Sequence, residues 1–191
     1  MRDFPDTLRR AQSIIDALDQ PDIVSRVEPA ARLHADVLHS GRPLLVCGNG
    51  GSAADAQHIA GELVGRFRKE RKALPAIALG SDAAVLTALG NDYGYEQVFA
   101  RQVEAYGVSG GLLWAISTSG NSPNILAAAE RARRLGMRVL ALTGSGGGKL
   151  AAHADLLLDV PSTETPLIQQ AHQVIYHYLC ESVEEWIANN A

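Results

Sequence analysis

Two short stretches of the chain place glycines and hydroxyls where a phosphate could be held. In the first, Leu44-Leu45-Val46-Cys47 leads into Gly48-Asn49-Gly50-Gly51-Ser52, and a helical pattern opens on Ala53-Ala54-Asp55-Ala56. Glycines at such a junction let backbone N–H groups approach a ligand, and the helix N-terminus adds partial positive charge. In the second, Leu112-Leu113-Trp114-Ala115-Ile116 leads into Ser117-Thr118-Ser119-Gly120-Asn121-Ser122, with Pro123 suited to the first helical position. Four hydroxyls in six residues make a donor-rich cradle. Gly/Ser turns between strand and helix are common, so neither loop is diagnostic alone. In an open α/β sheet, however, both would lie at the carboxyl ends of strands, where ligands bind, and the two could face one pocket.

Ionisable groups lie close to these loops. His58 and Glu62 are four apart in the helix leaving the first loop, so they project from one face about 6 Å apart along the axis. An imidazole and a carboxylate there could bind a metal or share proton transfer, although such a pair is also common as a surface interaction. Near the C-terminus, Gln169, Gln173 and His177 form a polar strip at four-residue steps along an otherwise apolar helical pattern. Polar groups on a core-facing helix need partners, so His177 reads either as a satisfied structural histidine or as a functional one. His172 lies off the strip and reads as structural. His34, His39 and His153 have no chemical partner nearby in sequence.

Other chemistries fit less well. Gly48, Gly50 and Ala53 satisfy a G-x-G-x-x-A dinucleotide pattern, but the acidic residue expected at the end of the second strand is missing, Asp82 coming too late. Lys149 follows Gly148, yet Thr143 stands at the first glycine of a P-loop and Leu150 at its Ser/Thr. A formal charge of −4 gives no whole-surface footprint for nucleic acid. Cys47 and Cys180 lack zinc-finger or disulfide-framework spacing, which fits a reduced, cytoplasmic setting. No run of about 18 apolar residues predicts a membrane span, and the opening MRDFPDTLRR has no apolar signal core. The charge run Arg66-Phe67-Arg68-Lys69-Glu70-Arg71-Lys72 reads as a solvated loop, or as a basic stretch that draws an anionic substrate.

The elements that must position these residues follow from periodicity. With 191 residues, 47% of them apolar, the chain suits one domain. Apolar positions at helical spacing from about 7 to 39, broken near Pro21 and closed by Gly41, predict two leading helices within 1–41. Short apolar runs at Leu44–Cys47, Ala76–Leu79, Leu112–Ile116, Val139–Leu142 and Leu156–Val160 alternate with helical patterns. They predict a doubly wound α/β core over 42–162 with a five-stranded parallel sheet of flavodoxin-like type. Residues 163–191 predict one long helix, from Thr165 to about Asn189, with Leu167, Ile168, Ala171, Val174, Ile175, Tyr178, Leu179, Val183 and Ile187 apolar.

Four segments in order, CGNGGSAADAQHIAGELVGRF (47–67), GNDYGYEQVFARQV (90–103), STSGNSPNI (117–125) and TPLIQQAHQVIYHYLC (165–180), make the chain resemble the SIS-domain family in its phosphoheptose isomerase branch. The resemblance spans nearly the whole chain. It departs at Gly110-Gly111, where relatives often carry Gly-Asp. It implies interconversion of sedoheptulose 7-phosphate and D-glycero-D-manno-heptose 7-phosphate through an enediol, the first step of heptose synthesis for lipopolysaccharide or related glycans. It also implies that Ser117, Thr118, Ser119 and Ser122 hold the phosphate, that Asn49, Gly50, Gly51, Asn91 and Asp92 line the sugar site, and that Glu62 and His177 are the acid/base pair. In zinc-containing members the positions of His58, Glu62, Gln169 and His177 bind one zinc per subunit, so two residues carry a double assignment. Gln169 and His177 are about 12 Å apart in helix rise, marginal for one ion on a straight helix.

The family implies a homotetramer with active sites at subunit interfaces, and the flanking helices carry apolar stripes beyond what the sheet needs. One pocket could then combine Glu62 of one chain with His177 of another. A non-catalytic relative that binds the replication initiator is the competing reading, disfavoured because Glu62 and His177 are both retained. A sugar-phosphate-sensing regulator is set aside because these residues include no helix-turn-helix pattern.

Overall fold

The computed structural model describes residues 3–190. Helices α1 (Phe4–Asp16) and α2 (Pro21–His39) lead, each with a proline in its first turn, joined by a 3-10 turn. Asp3 caps α1 by accepting from the Asp6 N–H at 2.9 Å. The strands are β1 (Leu44–Cys47), β2 (Ala76–Ala78), β3 (Leu112–Ser117), β4 (Arg138–Thr143) and β5 (Leu156–Asp159), each within one residue per end of its expected span. Helices α3 (Gly51–Val64), α4 (Ala83–Tyr93), α5 (Val98–Tyr106) and α6 (Pro123–Arg134) connect them, and α7 (Thr165–Asn189) follows.

All strand pairs are parallel, in the order β2-β1-β3-β4-β5. The central strands read as unbroken apolar runs because both faces are covered. Leu44, Val46, Leu112, Trp114, Leu140 and Leu142 join a core with α2, α3 and α7, while Leu45, Cys47, Leu113, Ala115, Val139 and Ala141 join one with α5 and α6. The order reverses direction between β1 and β3. Their two loops therefore emerge side by side at the carboxyl edge of the sheet, the switch point of a doubly wound fold.

Helix α7 departs from the expected phase. Tyr176 is fully buried, whereas Val174 and Tyr178 are each 45% exposed and line, with Leu18, Ile23, Val24 and Val27, a groove of about 290 Å³. The reason is that α7 packs against α1, α2 and α3 together, so its buried face is broader than one apolar stripe. No helix among the described residues is long and apolar enough to cross a membrane.

Two histidines lie in the core. His34 stands edge-on to Trp114 with ring centroids 5.4 Å apart, and neither of its ring nitrogens has a hydrogen-bond partner among the described residues. The His172 ring meets the Thr143 carbonyl through Nε2 at 3.0 Å, the structural role expected of it. Burial pushes both imidazoles down from 6.5 to about 4. Below the unfolded-state pKa the unfolded chain binds protons that the native state refuses. Stability is therefore full above about pH 6.5 and is lost as the pH falls toward 4, by roughly 3 kcal/mol per histidine. Urea midpoints measured from about pH 7.5 down to 4.5 should fall accordingly, and His34→Leu should flatten that slope. An unchanged slope in a folded His34→Leu variant would show that this imidazole is not what acid titrates.

Candidate functional site

Gly50, with φ +56°, turns the chain at the end of β1 in a conformation that side chains resist, and α3 starts at the next residue. Beside it, the loop after β3 ends at the cap of α6. Between these two helix starts lies a cavity of about 270 Å³ walled by Asn49, Gly50, Gly51, Ser117, Thr118 and Ser122, with Thr165 and Gln169 of α7 at its rim. Ser117 Oγ and Ser122 Oγ are 3.1 Å apart, and Thr118 Oγ1 is 3.5 Å from Thr165 Oγ1. None of the residues lining the cavity is charged. An anion here would be held by N–H groups, hydroxyls and two helix dipoles.

The remaining members of the expected cradle stand differently. Ser119 is not among the lining residues, and its Oγ accepts from the Asn121 N–H at 3.1 Å. Asn49 and Asn124 exchange two 2.9 Å hydrogen bonds, and the Tyr95 hydroxyl donates to Asn49 Oδ1 at 3.2 Å, so the Asn49 amide is largely committed to fixing its own loop. Asn91 and Asp92 are exposed at the end of α4, hydrogen-bonded to each other at 2.8 Å and absent from the cavity wall. Gln169 lies over Gly51 so closely that a Cβ there would sit 2.5 Å from its Nε2.

The features that resembled nucleotide sites are accounted for otherwise. The glycine-rich turn after β4 braces the hydroxyl loop, with Leu150 N donating to Gly120 O at 2.9 Å and Lys149 N to Asn121 Oδ1 at 3.1 Å. Asp82 caps α4, accepting from Ala84 N and Val85 N.

The ionisable cluster forms where α3 and α7 pack together. His58 Nε2 is 3.0 Å from Glu62 Oε1, and the rings of His58 and His177 are 5.0 Å apart at their centroids. Ligand atoms of His58, Glu62 and His177 all lie within 4.8 Å of one another, so Glu62 and His177 meet inside one chain rather than across two. Phe67 lies against the His177 ring, with centroids 5.7 Å apart. Burial and then the neighbouring His58 lower the His177 pKa, against the opposing pull of Glu62, which favours a neutral imidazole.

Two partners of this cluster escaped the sequence reading. Tyr176 Oη lies 3.1 Å from His58 Nδ1 and donates to Asp55 Oδ1 at 3.4 Å, which leaves His58 Nε2 facing Glu62. Burial, and next the Asp55 charge, push the phenol up to about 12; burial also raises the Asp55 pKa, against the Tyr176 hydrogen bond and His58. Asp55, His58 and Glu62 recur at three and four residues, a spacing that puts all three on one helix face. Tyr176 carried no comparable signal.

A profile described as the SIS domain matches residues 9–144. The phosphoheptose isomerase of Geobacter sp. (strain M21) is 51% identical over 177 residues, covering 93% of this chain and 92% of its own. That of Geobacter sulfurreducens is 49% identical over 183 residues, with 96% of each chain covered. The solved phosphoheptose isomerase of Neisseria gonorrhoeae superposes with a TM-score of 0.84 at 42% identity, over 95% of both chains. The chain belongs to the SIS-domain family and, within it, to the phosphoheptose isomerases.

Proposed function

We propose that this protein isomerises sedoheptulose 7-phosphate to D-glycero-D-manno-heptose 7-phosphate, a step in heptose biosynthesis. The observation that carries the reading is an uncharged hydroxyl and N–H cavity at the start of α3 together with a His58, Glu62, His177 cluster farther along α3, where it packs on α7. Aldose–ketose isomerisation moves a proton between neighbouring carbons through an enediol while protons shift at the oxygens. Glu62 takes the carbon-bound proton and returns it to the neighbouring carbon, and neutral His177 moves the proton at oxygen. Ser117, Thr118 and Ser122 of the cavity wall, joined by Ser119 once its hydroxyl turns from the Asn121 N–H, hold the phosphate, so that the reacting carbons are presented to Glu62 in register. Gly50, Gly51 and Gln169 line the path of the sugar. The replication-initiator adaptor reading is not favoured, because the relatives are isomerases and both acid/base residues are present.

Two imidazoles and a carboxylate with converging ligand atoms suit zinc, and the Tyr176 hydroxyl on His58 Nδ1 is the kind of outer partner that orients a ligating imidazole. His58, Glu62 and His177 would hold the ion, in which state Glu62 and His177 would be ligands rather than free acid/base groups. The Gln169 amide, which lies over Gly51 at the start of α3, would have to swing along α7 to serve as a fourth ligand. When bound, zinc supplies Lewis-acid polarisation of the sugar oxygens.

We also infer a cytoplasmic homotetramer with sites completed across subunits. The apolar groove beside Val174 and Tyr178 supports self-association, and the exposed positions of Asn91 and Asp92 support their service to a neighbouring chain's cavity.

Purified protein incubated with sedoheptulose 7-phosphate, with and without chelator, tests the activity directly. Glu62→Gln keeps the size of the side chain and removes the proton acceptor, so turnover should fall by about a thousandfold or more with the fold intact. Near-normal turnover in a folded variant would exclude Glu62 as the base. Thr118→Val combined with Ser122→Ala should raise KM for the phosphorylated sugar far more than for an unphosphorylated ketose. Equal losses for both substrates would mean that the loop does not read phosphate. Under subunit exchange, Glu62→Gln mixed with Asp92→Ala should regain activity at up to roughly a quarter of sites if Asp92 serves another chain. Confirmed exchange without recovery would end the shared-site proposal, and a fully active monomer in sedimentation would end the tetramer.

A further inference from the structure

The basic run between α3 and β2 is a loop with mostly exposed side chains, yet its backbone is held in place. Its outward side chains pair along α7, Arg68 with Glu181 at 2.7 Å and Lys69 with Glu185 at 3.2 Å. Its backbone is gripped from beneath by Glu184, whose side chain is only 1% exposed. The Glu184 carboxylate accepts from three successive N–H groups, those of Phe67 at 2.9 Å, Arg68 at 2.6 Å and Lys69 at 2.7 Å. Arg71 is buried beside it, with Nε 3.4 Å from Glu184 Oε1. The Arg71 guanidinium donates to the carbonyls of Glu62 at 2.7 Å, Leu63 at 2.8 Å and Gly65 at 2.8 Å, closing the end of α3. A buried carboxylate is tolerable only with such compensation. Burial alone would raise its pKa, yet the three N–H groups and Arg71 hold it below the usual carboxylate value.

Both members of the acid/base pair are attached to this network. Glu62 belongs to the last turn of α3, and its own carbonyl is one of those held by Arg71. His177 stands seven residues before Glu184, two turns along α7 and about 10 Å away on nearly the same face. The N–H of Phe67 is bonded to Glu184 while its ring lies against His177. A shift of the buried pair therefore moves the end of the helix bearing Glu62 and the ring packed on His177 together.

We propose that Glu184 and Arg71 are positioning residues for isomerisation, a buried ion pair that sets the placement of Glu62 against His177. The proposal rests on the acid/base assignment given under the proposed function. A pair that merely stabilised the fold would lower melting temperature and leave turnover per folded molecule unchanged.

The test measures kcat and KM for sedoheptulose 7-phosphate in Glu184→Gln and Arg71→Lys, well below their melting temperatures and normalised to folded protein. Glu62→Gln and an Arg68→Ala/Lys69→Ala variant are run in parallel, and the His177 ring resonance is followed by NMR. Both positioning variants should lose about tenfold or more in kcat with KM within about twofold, because the phosphate loop is untouched. The His177 resonance should shift as Phe67 moves, and Arg68→Ala/Lys69→Ala should turn over normally. Phe67→Leu, which keeps the ion pair and removes the ring, decides the matter if the buried variants fail to fold: it should reproduce the loss of kcat, and normal kcat there would overturn the proposal. Normal kcat per folded molecule in Glu184→Gln and Arg71→Lys beside an inactive Glu62→Gln overturns this proposal alone. An active Glu62→Gln overturns the acid/base assignment and this proposal with it. A raised KM at unchanged kcat in Arg68→Ala/Lys69→Ala would make the run an anion-gathering loop and would likewise overturn it.

Discussion

The packing of α7 against α3 is the constraint on which the site depends. Helix α3 starts at the Gly50 turn and carries Asp55, His58 and Glu62 on one face, while α7 carries Gln169, Tyr176 and His177. Neither helix alone holds the His58, Glu62, His177 cluster. Buried Ile59, Leu63, Ile168, Ala171, Ile175 and Leu179 join one core, and that apolar contact brings the polar faces together about two to three turns along α3 from the carboxyl edge of the sheet. Because interiors are close-packed and resist small displacements, the phase of α7 on α3 is fixed by these side chains and passed on to His58, Glu62 and His177.

Within that frame the site divides into two electrostatic regions. The cavity between the loops after β1 and β3 is lined by uncharged groups, and its rigidity comes from the paired amides of Asn49 and Asn124 and from the braced turn after β4. Neutral donors at two helix starts suit an anion without a competing cation nearby. The neighbouring cluster concentrates groups whose protonation can change. Tyr176 and Asp55 fix the orientation of His58, and partial burial lowers the His177 pKa and so favours the neutral imidazole. The uncharged cavity and the ionisable cluster thus draw on separate side chains, joined by the backbone of α3.

Polar groups in the interior are placed where they connect elements. Glu184 joins α7 to the loop after α3, His172 joins it to the end of β4, and Asn124 joins the two loops of the cavity. Each burial is unfavourable without its partner, so each ties two elements into one arrangement. His34, against Trp114 with no such partner, makes the core sensitive to acid instead.

The sequence by itself determined the strands, the parallel sheet, the two glycine- and hydroxyl-rich loops that line one cavity and the His58–Glu62 pair. All of these follow from local pattern: unbroken apolar runs for covered strands, glycine and hydroxyl residues at strand-to-helix turns, and four-residue spacing on a helix. The His177 strip was also visible, though the groups it meets were not, because a polar residue on an apolar helix announces only that it needs a partner. The tertiary structure decided which partners meet. It put Glu62 and His177 in one chain, buried Tyr176 behind His58, left Asn91 and Asp92 outside the cavity, and turned the basic run into a backbone segment held by Glu184. Those outcomes depend on contacts between residues more than a hundred positions apart, or on which face of a long helix is covered by three neighbours at once. Local spacing carries no information about either.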